Sequence, residues 1–229
     1  MFILGLTGSI AMGKSTASRA FRSLGVPVFD ADAAVHRLLA PGGGAVAAIG
    51  AAFPDCLGPA GRVDRQTLGR RAFDDPAALA RLEAILHPMV QIAQRRFLAR
   101  CAGARCPLVV LDVPLLYETG GDRRVDAVAV VSAPPPVQTQ RLRRRPGMSP
   151  ARLAAIRARQ MADAEKRRRA DFVIPTGLER RGSLVAVAQI VDRVRHRPGA
   201  AWPRAWPPDQ PARGAGPPPG SCDYSAAAA

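Results

Sequence analysis

The most informative segment of the chain is GLTGSIAMGKST, residues Gly5–Thr16, which follows the apolar start MFIL. From Gly8 to Ser15 it matches the pattern G-x-x-x-x-G-K-[ST]. The glycines of this pattern let the chain turn so that successive backbone N–H groups surround a phosphate group. A chance glycine turn and an amphipathic leader are the alternatives. They are disfavoured because the chain uses arginine almost exclusively: only two of its 33 basic residues are lysine. A lysine at position 14, inside the glycine loop, is therefore unlikely to stand there by chance.

The loop pattern assigns a role to each of its polar residues. A helix that begins near Lys14 adds the partial positive charge of its N-terminus to the loop. The Lys14 side chain neutralises charge between the β- and γ-phosphates, and the Ser15 hydroxyl ligates Mg²⁺. The pattern therefore predicts a nucleoside triphosphate, ATP or GTP, bound together with Mg²⁺. The predicted nucleotide contacts are Gly8, Ser9, Ile10, Ala11, Met12, Gly13, Lys14, Ser15 and Thr16.

Short apolar runs alternate with helical patterns along the chain. Buried strands are predicted at 2–6, 26–32, 107–116, 125–133 and 171–175. Helical patterns lie between them, and the apolar spacing in 184–194 predicts a final amphipathic helix. This alternation predicts a parallel α/β sheet with right-handed crossovers.

The segment at 45–105 is expected to be mostly helical. Asp75 and Pro76 form a favourable helix start, because an N-cap acceptor is followed by proline at the first helical position. Pro88 is expected to end that helix, since proline lacks the backbone N–H and clashes with the preceding turn. A separate helix is then expected to run to about Arg100.

Bulk composition excludes some classes of protein. No stretch approaches about 18 consecutive apolar residues, and no basic region precedes the apolar start, so neither a membrane span nor a signal peptide is expected. The four cysteines form no C-x-x-C pair, which favours free thiols in a reducing compartment and hence a cytoplasmic location. From about Pro198 the chain is rich in Pro, Gly and Ala without periodicity, which predicts a disordered tail at 198–229.

The formal net charge of +15 is concentrated between Arg141 and Arg181, where 13 basic residues accompany four acidic ones. Such a patch attracts phosphate groups, on a small substrate or on nucleic acid. A nucleic-acid-binding ATPase is therefore a rival hypothesis. It is disfavoured because Phe172 is the only aromatic residue in this segment, and single strands are usually held by stacking aromatics. No nucleic-acid partner is expected.

Three aspartates lie at or near the ends of predicted strands, at the sheet edge where ligands bind in parallel α/β folds. Asp32 stands where a carboxylate can accept the proton of an attacking hydroxyl. Asp112 lies in the apolar run VVLDVP, where a carboxylate has no structural purpose, and it resembles the acid that helps to hold Mg²⁺. Asp30 either shares such a role or caps the helix that begins at Ala31.

With these residues placed, the chain up to about Arg197 resembles the dephospho-coenzyme A kinases. The matching segments are GLTGSIAMGKST, VFDAD at 28–32, LHP at 86–88, DVPLLYE at 112–118, QRLRRR at 140–145, RQM at 159–161 and EKRRRADFVI at 165–174. The phosphate loop alone is generic, whereas D-A-D, L-H-P and D-V-P-L-L-Y-E at these separations are much more specific. The resemblance implies an α/β, three-layer P-loop nucleoside-triphosphate hydrolase fold with a parallel sheet, a helical substrate-binding insertion and a basic lid.

The resemblance also implies a reaction, in which ATP phosphorylates the ribose 3′-hydroxyl of dephospho-coenzyme A in the last step of coenzyme A synthesis. Asp32 would be the catalytic base and would contact the substrate, while Lys14 and Arg141 would act on the phosphates. The implied regions are a nucleotide-binding core at 1–32, 107–143 and 168–197, a helical substrate-binding region at 33–106, and a lid at 144–167. An inserted helical domain and a basic lid suit a phosphoryl transferase, which must exclude competing water.

Two further residues are candidates for substrate binding. His87 lies in the L-H-P motif, where it either contacts substrate or simply ends a helix. Arg65, in VDRQTL, either binds substrate or is solvated or in contact with the lid. Glu118 is expected to pair with an arginine of the lid. A monomer or weak homo-oligomer is expected.

The loop departs from the pattern of the family it resembles. Ser9, Ala11 and Met12 stand where that family usually has Gly, Gly and Ser. Because alanine tolerates positive φ less well than glycine, the loop is expected to be stiffer or differently shaped. After the last strand the family often has an asparagine near a glycine, beside the adenine, whereas this chain reads Pro175-Thr176-Gly177, so the adenine contacts are not assigned. A kinase of another small molecule, a nucleoside or nucleotide, is the second hypothesis for the activity.

Overall fold

The computed structural model describes residues 1–58, 61–145, 150–177 and 180–207, and the statements below concern these ranges. The strands are β1 (Phe2–Thr7), β2 (Val28–Asp30), β3 (Leu57–Gly58), β4 (Arg62–Val63), β5 (Leu108–Asp112), β6 (Ala127–Ser132) and β7 (Phe172–Pro175). The helices are α1 (Lys14–Ser23), α2 (Ala31–Leu38), α3 (Val46–Ala52), α4 (Arg65–Asp74), α5 (Pro76–Gly103), α6 (Pro135–Arg143), α7 (Pro150–Arg159), α8 (Asp163–Arg169) and α9 (Arg180–Val194).

The central sheet has five parallel strands in the order β2-β5-β1-β6-β7. The predicted parallel α/β architecture is therefore confirmed. The register places Asp30 opposite Asp112 and Asp112 opposite Leu6, so that these strand ends lie level at one edge. The two-stranded hairpin β3–β4 was not predicted, because strands of two residues give no alternating pattern.

Residues that alternate along the strands separate the two faces of the sheet, as a period of two requires. On one face, Leu4 and Leu6 of β1 pack with Phe21 of α1 and Val187 of α9. The opposite face, represented by Ile3, packs in a cluster built from β2, β5, α5 and the C-terminal residues. Covering both faces in this way produces the three-layer arrangement. Each of the central strands β1, β5 and β6 is buried along its whole length.

The region between β2 and β5 is mostly helical, apart from the β3–β4 hairpin, and has a small core of its own. Ile49, Phe53, Leu68 and Leu86 are buried there together. The expectation that Pro88 ends a helix is wrong, because α5 runs without interruption from Pro76 to Gly103. Burial of Leu86 before the proline and of Leu98 after it offsets the roughly 3 kcal/mol that an internal proline costs, since each fully buried leucine contributes about 2 kcal/mol.

The expectation of disorder is also wrong for the beginning of the C-terminal segment. Ala201 and Trp206 are buried against the sheet, and Trp206 is 4% exposed. Two backbone N–H groups, those of Ala200 and Ala201, donate to one carboxylate oxygen of Asp126 at 2.6 and 2.8 Å. Residues 208–229 of the predicted tail lie outside the described ranges. Over the described part of the chain, each helix is either too short or too polar to cross a membrane.

Candidate active site

The phosphate loop joins β1 to α1 and takes up left-handed backbone conformations at two positions. Gly13, directly before the first turn of α1, has φ of 91°. A Cβ at this position would lie 3.0 Å from Thr176 Oγ1 and 3.2 Å from a guanidinium nitrogen of Arg141. Ala11 has φ of 61°, in a backbone region that residues other than glycine seldom occupy. The alanine that replaces the family's glycine therefore keeps the left-handed turn at a cost in strain.

Met12 anchors the loop to the end of β6. Its side chain is 4% exposed, and its Sδ accepts a hydrogen bond from Ala133 N at 3.2 Å. The Thr176 hydroxyl donates to the Met12 carbonyl oxygen. Thr176 follows β7, so the loop is held by residues that follow two neighbouring strands. The replacement of a small residue by methionine thus adds packing beneath the loop.

Two glutamines hold the tip of the loop from opposite sides of Ile10. Gln160 Oε1 accepts a hydrogen bond from Ile10 N at 3.0 Å. Gln138 Nε2 donates to Ile10 O at 2.9 Å. Gln138 lies on α6, and Gln160 directly follows α7 within the predicted lid. These contacts connect the loop to the basic region of the chain, and neither glutamine was among the predicted site residues.

Lys14 and Asp112 form an ion pair at the strand edge, with 2.5 Å between Nζ and Oδ1. Asp112 is the last residue of β5 and is 2% exposed. Burial raises the pKa of Asp112 above its ordinary value, and the neighbouring Lys14 ammonium opposes this rise. Ser15 follows Lys14 in the first turn of α1 and is exposed. A serine hydroxyl and a carboxylate are oxygen donors of the kind that Mg²⁺ prefers, so these residues fit the ion.

The two aspartates of the VFDAD segment have different environments. Asp30 is the N-cap of α2: its Oδ1 accepts a hydrogen bond from Ala33 N at 2.9 Å, and Arg22 lies 3.7 Å away. Of its two alternative roles, the structure supports the cap. Asp32 is exposed in the first turn of α2 and lines a cavity of about 630 Å³. His87 of α5 lines the same cavity, so these two predicted residues are brought together.

Arg141 and Arg65 lie in different places. Arg141 on α6 lies against the loop: its guanidinium donates to Thr176 O at 2.5 Å and to Ala11 O at 3.3 Å. Arg65, the first residue of α4, is exposed and lines another cavity together with His36. The structure therefore does not bring Arg65 to the cavity that contains Asp32.

Glu118 pairs with a residue of the segment that was predicted to be the lid, but this residue is a lysine, so the expected arginine was wrong. Lys166 of α8 is fully buried, and its Nζ lies 2.8 Å from Glu118 Oε1. The same oxygen accepts a hydrogen bond from Met161 N at 2.8 Å. Lys166 is the second of the two lysines in this arginine-rich chain. Lys166 is enclosed by protein and faces a single carboxylate oxygen. A compact ammonium fits such a site better than a larger, branched guanidinium does.

The model of the family described as dephospho-CoA kinase matches residues 2–179 of the chain. The chain belongs to the dephospho-CoA kinase family. The family's match ends before α9, so neither that helix nor the C-terminal segment around Trp206 is part of it. The assignment identifies the fold as that of the P-loop kinases and the protein as an enzyme of this class.

Individual dephospho-CoA kinases resemble the chain over most of its length. The one from Rhodospirillum rubrum is 56% identical over 185 residues, which are 81% of this chain and 88% of the relative. The one from Novosphingobium aromaticivorans is 52% identical over 196 residues, 86% of this chain and 96% of the relative. Among solved structures, TT1252 from Thermus thermophilus is 34% identical with a TM-score of 0.73, and the match covers 84% of this chain and 96% of that one.

Residues that the sequence analysis missed come from distant parts of the chain. Gln138 and Trp206 belong to no short motif, and these two residues and Gln160 reach the site through tertiary packing. Gln160 stands within the RQM segment that contributed to the family resemblance, which was the available signal. For Trp206 the signal was a tryptophan in an otherwise Pro- and Ala-rich stretch.

Proposed function

We propose that this member of the dephospho-CoA kinase family transfers the γ-phosphoryl group of ATP to the ribose 3′-hydroxyl of dephospho-CoA. The single observation that carries the proposal is the placement of Asp32. It lies two residues after Asp30, which is in register with Asp112, and Asp112 pairs with Lys14 of the phosphate loop. A carboxylate that lines a cavity thus follows closely on the strand end next to the residues proposed to hold the triphosphate.

The proposed step is an in-line displacement on the γ-phosphorus. The 3′-oxygen of the acceptor forms a bond to phosphorus while the bond from phosphorus to the bridging oxygen of ADP breaks. Asp32 accepts the proton of the hydroxyl, and ADP leaves with the bond's electron pair. General-base assistance of this kind contributes about 10²–10⁴-fold to the rate. His87 lines the same cavity and is proposed to contact the acceptor.

The phosphate loop, Gly8–Thr16, is proposed to bind the nucleotide through its inward N–H groups and the N-terminus of α1. Lys14 would exchange its contact with Asp112 for the β- and γ-phosphates. Ser15 and Asp112 would hold Mg²⁺, which supplies charge neutralisation between the β- and γ-phosphates when it is bound. Arg141, which donates to the loop at Ala11 O, would bring positive charge to the transferred phosphoryl group.

The proposed division of labour follows the regions defined above. The core comprises 1–32, 107–143 and 168–197, the helical substrate-binding region comprises 33–106, and the lid comprises 144–167. Closing the lid over the nucleotide would exclude water, which competes with the ribose hydroxyl for the phosphoryl group. Arg65 of the helical region is also proposed to contact substrate, although it lines another cavity here. A cytoplasmic location and a monomeric or weakly associating state belong to the same proposal.

An acceptor screen tests the proposal. ADP release with ATP and Mg²⁺ is measured with dephospho-CoA, with its 3′-deoxy analogue, and with a set of nucleosides and nucleotides. The expected result is turnover with dephospho-CoA, a 3′-phosphorylated product by mass spectrometry, and only background ATP hydrolysis with the 3′-deoxy analogue. Turnover with a nucleoside but not with dephospho-CoA would support the rival small-molecule kinase and reject the assignment.

A further inference from the structure

The C-terminal segment 199–206 is attached to the fold through one partly buried side chain, that of Asp126. One oxygen of this carboxylate accepts from Ile3 N at 2.7 Å, and the other accepts from Ala200 N and Ala201 N. A side chain on Gly199 would collide with the backbone of Met1, so the segment lies tightly against the start of β1. These contacts fix the position of Trp206, whose side chain is almost fully buried.

Trp206 holds one arginine of the loop that precedes β6. Its indole Nε1 donates to Arg124 O at 2.9 Å, and the Arg124 guanidinium carbon lies 5.5 Å from the centre of the indole ring. Arg124 is partly buried. Within the described ranges, no carboxylate lies within ion-pair distance of its guanidinium. A partly buried arginine that stacks on an aromatic ring and has no acidic partner is ready to bind an anion.

Arg124 and Trp206 line the same cavity as Asp32. This cavity of about 630 Å³ has apolar walls, among them Leu111 and Val113. We propose that Arg124 binds the diphosphate of the acceptor and that Trp206 acts as a positioning residue for it. The inference depends on the proposed function, because it is the dephospho-CoA acceptor that carries a diphosphate beside the ribose. The C-terminal segment, which lies beyond the family's match, thereby becomes part of the acceptor site.

The orientation of the Arg124 guanidinium matters for anion binding as well as its charge. A guanidinium binds phosphate oxygens through two parallel N–H donors, so its plane must face the ligand. The flat indole face and the hydrogen bond to the Arg124 carbonyl restrict both the side chain and its backbone. Arginine ordered in advance loses less conformational freedom when the ligand arrives. Arg123 lines the cavity too, but it is exposed and has no such support.

Steady-state kinetics with Arg124→Gln and Trp206→Phe test the proposal. Arg124→Gln should raise KM for dephospho-CoA about 10–100-fold, the cost of a lost charge-assisted hydrogen bond. Its kcat and its KM for ATP should stay within about twofold, because the contact is made equally in the ground state and the transition state. Trp206→Phe keeps an aromatic ring but loses the Nε1 donor, and should raise the same KM about three- to tenfold.

Adenosine and two control variants separate anion binding from a general loss of structure. Adenosine lacks the diphosphate, so its inhibition constant against dephospho-CoA should be the same in wild type and Arg124→Gln. Arg193→Gln on α9 removes an exposed positive charge, and Trp202→Phe alters the other tryptophan of the segment; neither should change KM. The inference would be overturned if Arg124→Gln raised the inhibition constant of adenosine as much as KM for dephospho-CoA, or if it left that KM unchanged. In either case, turnover of dephospho-CoA by the wild type would still support the proposed function. No wild-type turnover with dephospho-CoA would overturn both.

Discussion

Lys14 and Asp112 share an ion pair of 2.5 Å that joins the first turn of α1 to the last residue of β5. The side chain of Asp112 is 3% exposed and that of Lys14 is 17% exposed, so little water screens the pair. In the absence of a phosphate, the carboxylate and the ammonium compensate each other's charge. When a nucleotide binds Lys14, Asp112 needs another cation as its partner. Mg²⁺ is proposed to take that place.

The ion pair predicts a pH-dependent defect in Lys14→Ala. The pKa of Asp112 is raised by burial from an ordinary value of 3.8 and is lowered by Lys14, so removing Lys14 raises it further. A folded-state pKa above the unfolded one makes ionisation destabilising, and this cost grows as pH rises through the interval between them. Lys14→Ala should therefore lose about 3 kcal/mol of unfolding free energy near neutral pH and much less near pH 4.

Denaturant unfolding across this pH range measures the effect. The matched control is the double variant Lys14→Ala/Asp112→Asn, which removes the charge left behind and should recover most of the stability at neutral pH. A Lys14→Ala deficit of equal size at both ends of the range would show that Asp112 is not the source.

The neighbouring aspartates of the VFDAD segment predict a separation of catalysis from stability. Asp32→Asn should bind ATP normally but lower kcat about 10²–10⁴-fold, because the acceptor hydroxyl loses its base. Asp30→Asn, two residues earlier, retains an N-cap acceptor and should change stability by less than about 1 kcal/mol. Calorimetric titration with an ATP analogue and steady-state assays distinguish them. A normal kcat in Asp32→Asn would remove it from the reaction.

Backbone conformation in the phosphate loop predicts opposite outcomes for two small substitutions. Ala11→Gly removes the strain of an alanine in the left-handed conformation, which is about 1 kcal/mol. Glycine also gives the unfolded chain more conformational freedom, which opposes this gain. The free energy of unfolding should therefore stay equal or rise by up to about 1 kcal/mol. Gly13→Ala places a methyl group against Thr176 and Arg141 at φ of 91° and should cost about 1–3 kcal/mol.

Urea unfolding and ATP titration of both variants provide the comparison. Gly13→Ala should also weaken ATP binding, since the backbone N–H groups around it shift. If the two variants had the same free energy of unfolding, the left-handed φ would not determine which residue is favoured at either position of the loop.

The two glutamines at Ile10 predict a moderate role in nucleotide affinity. Gln160→Ala and Gln138→Ala each remove one hydrogen bond to the loop, worth about 0.5–1.5 kcal/mol, so KM for ATP should rise about two- to tenfold. Gln140→Ala provides the control, because this residue lies on the same helix and is exposed. The reverse order, with Gln140→Ala as the more damaging change, would contradict the proposed support of the loop.

Much of the architecture was predictable because local chemistry determines it. The apolar runs of β1, β5 and β6 are buried on both faces, and the glycines and Lys14 fix the turn that joins β1 to α1. Asp112 was recognisable because a carboxylate in an apolar strand must have a charged partner. Each of these features is recognisable from residues within a few positions of one another, although Asp112 meets its partner Lys14 across 98 positions.

The errors arose where distant packing prevailed over local preference. Pro88 stays inside α5 because apolar contacts on both sides of it outweigh the lost hydrogen bond. The segment around Trp206 docks because Asp126 accepts from Ala201 N and the Arg124 carbonyl accepts from Trp206 Nε1, partners about 80 positions earlier that no local pattern reveals. The same is true of Gln160, which meets Ile10 across 150 positions of sequence.

The meeting of Met1, Gly199 and Asp126 has a practical consequence for handling the enzyme. A fusion tag placed ahead of Met1 would crowd the backbone against which Gly199 is pressed. A displacement of Gly199 would shift Trp206, which lies seven residues later and supports Arg124. Preparations with an N-terminal tag should therefore show weaker acceptor affinity than the same preparations after the tag is removed.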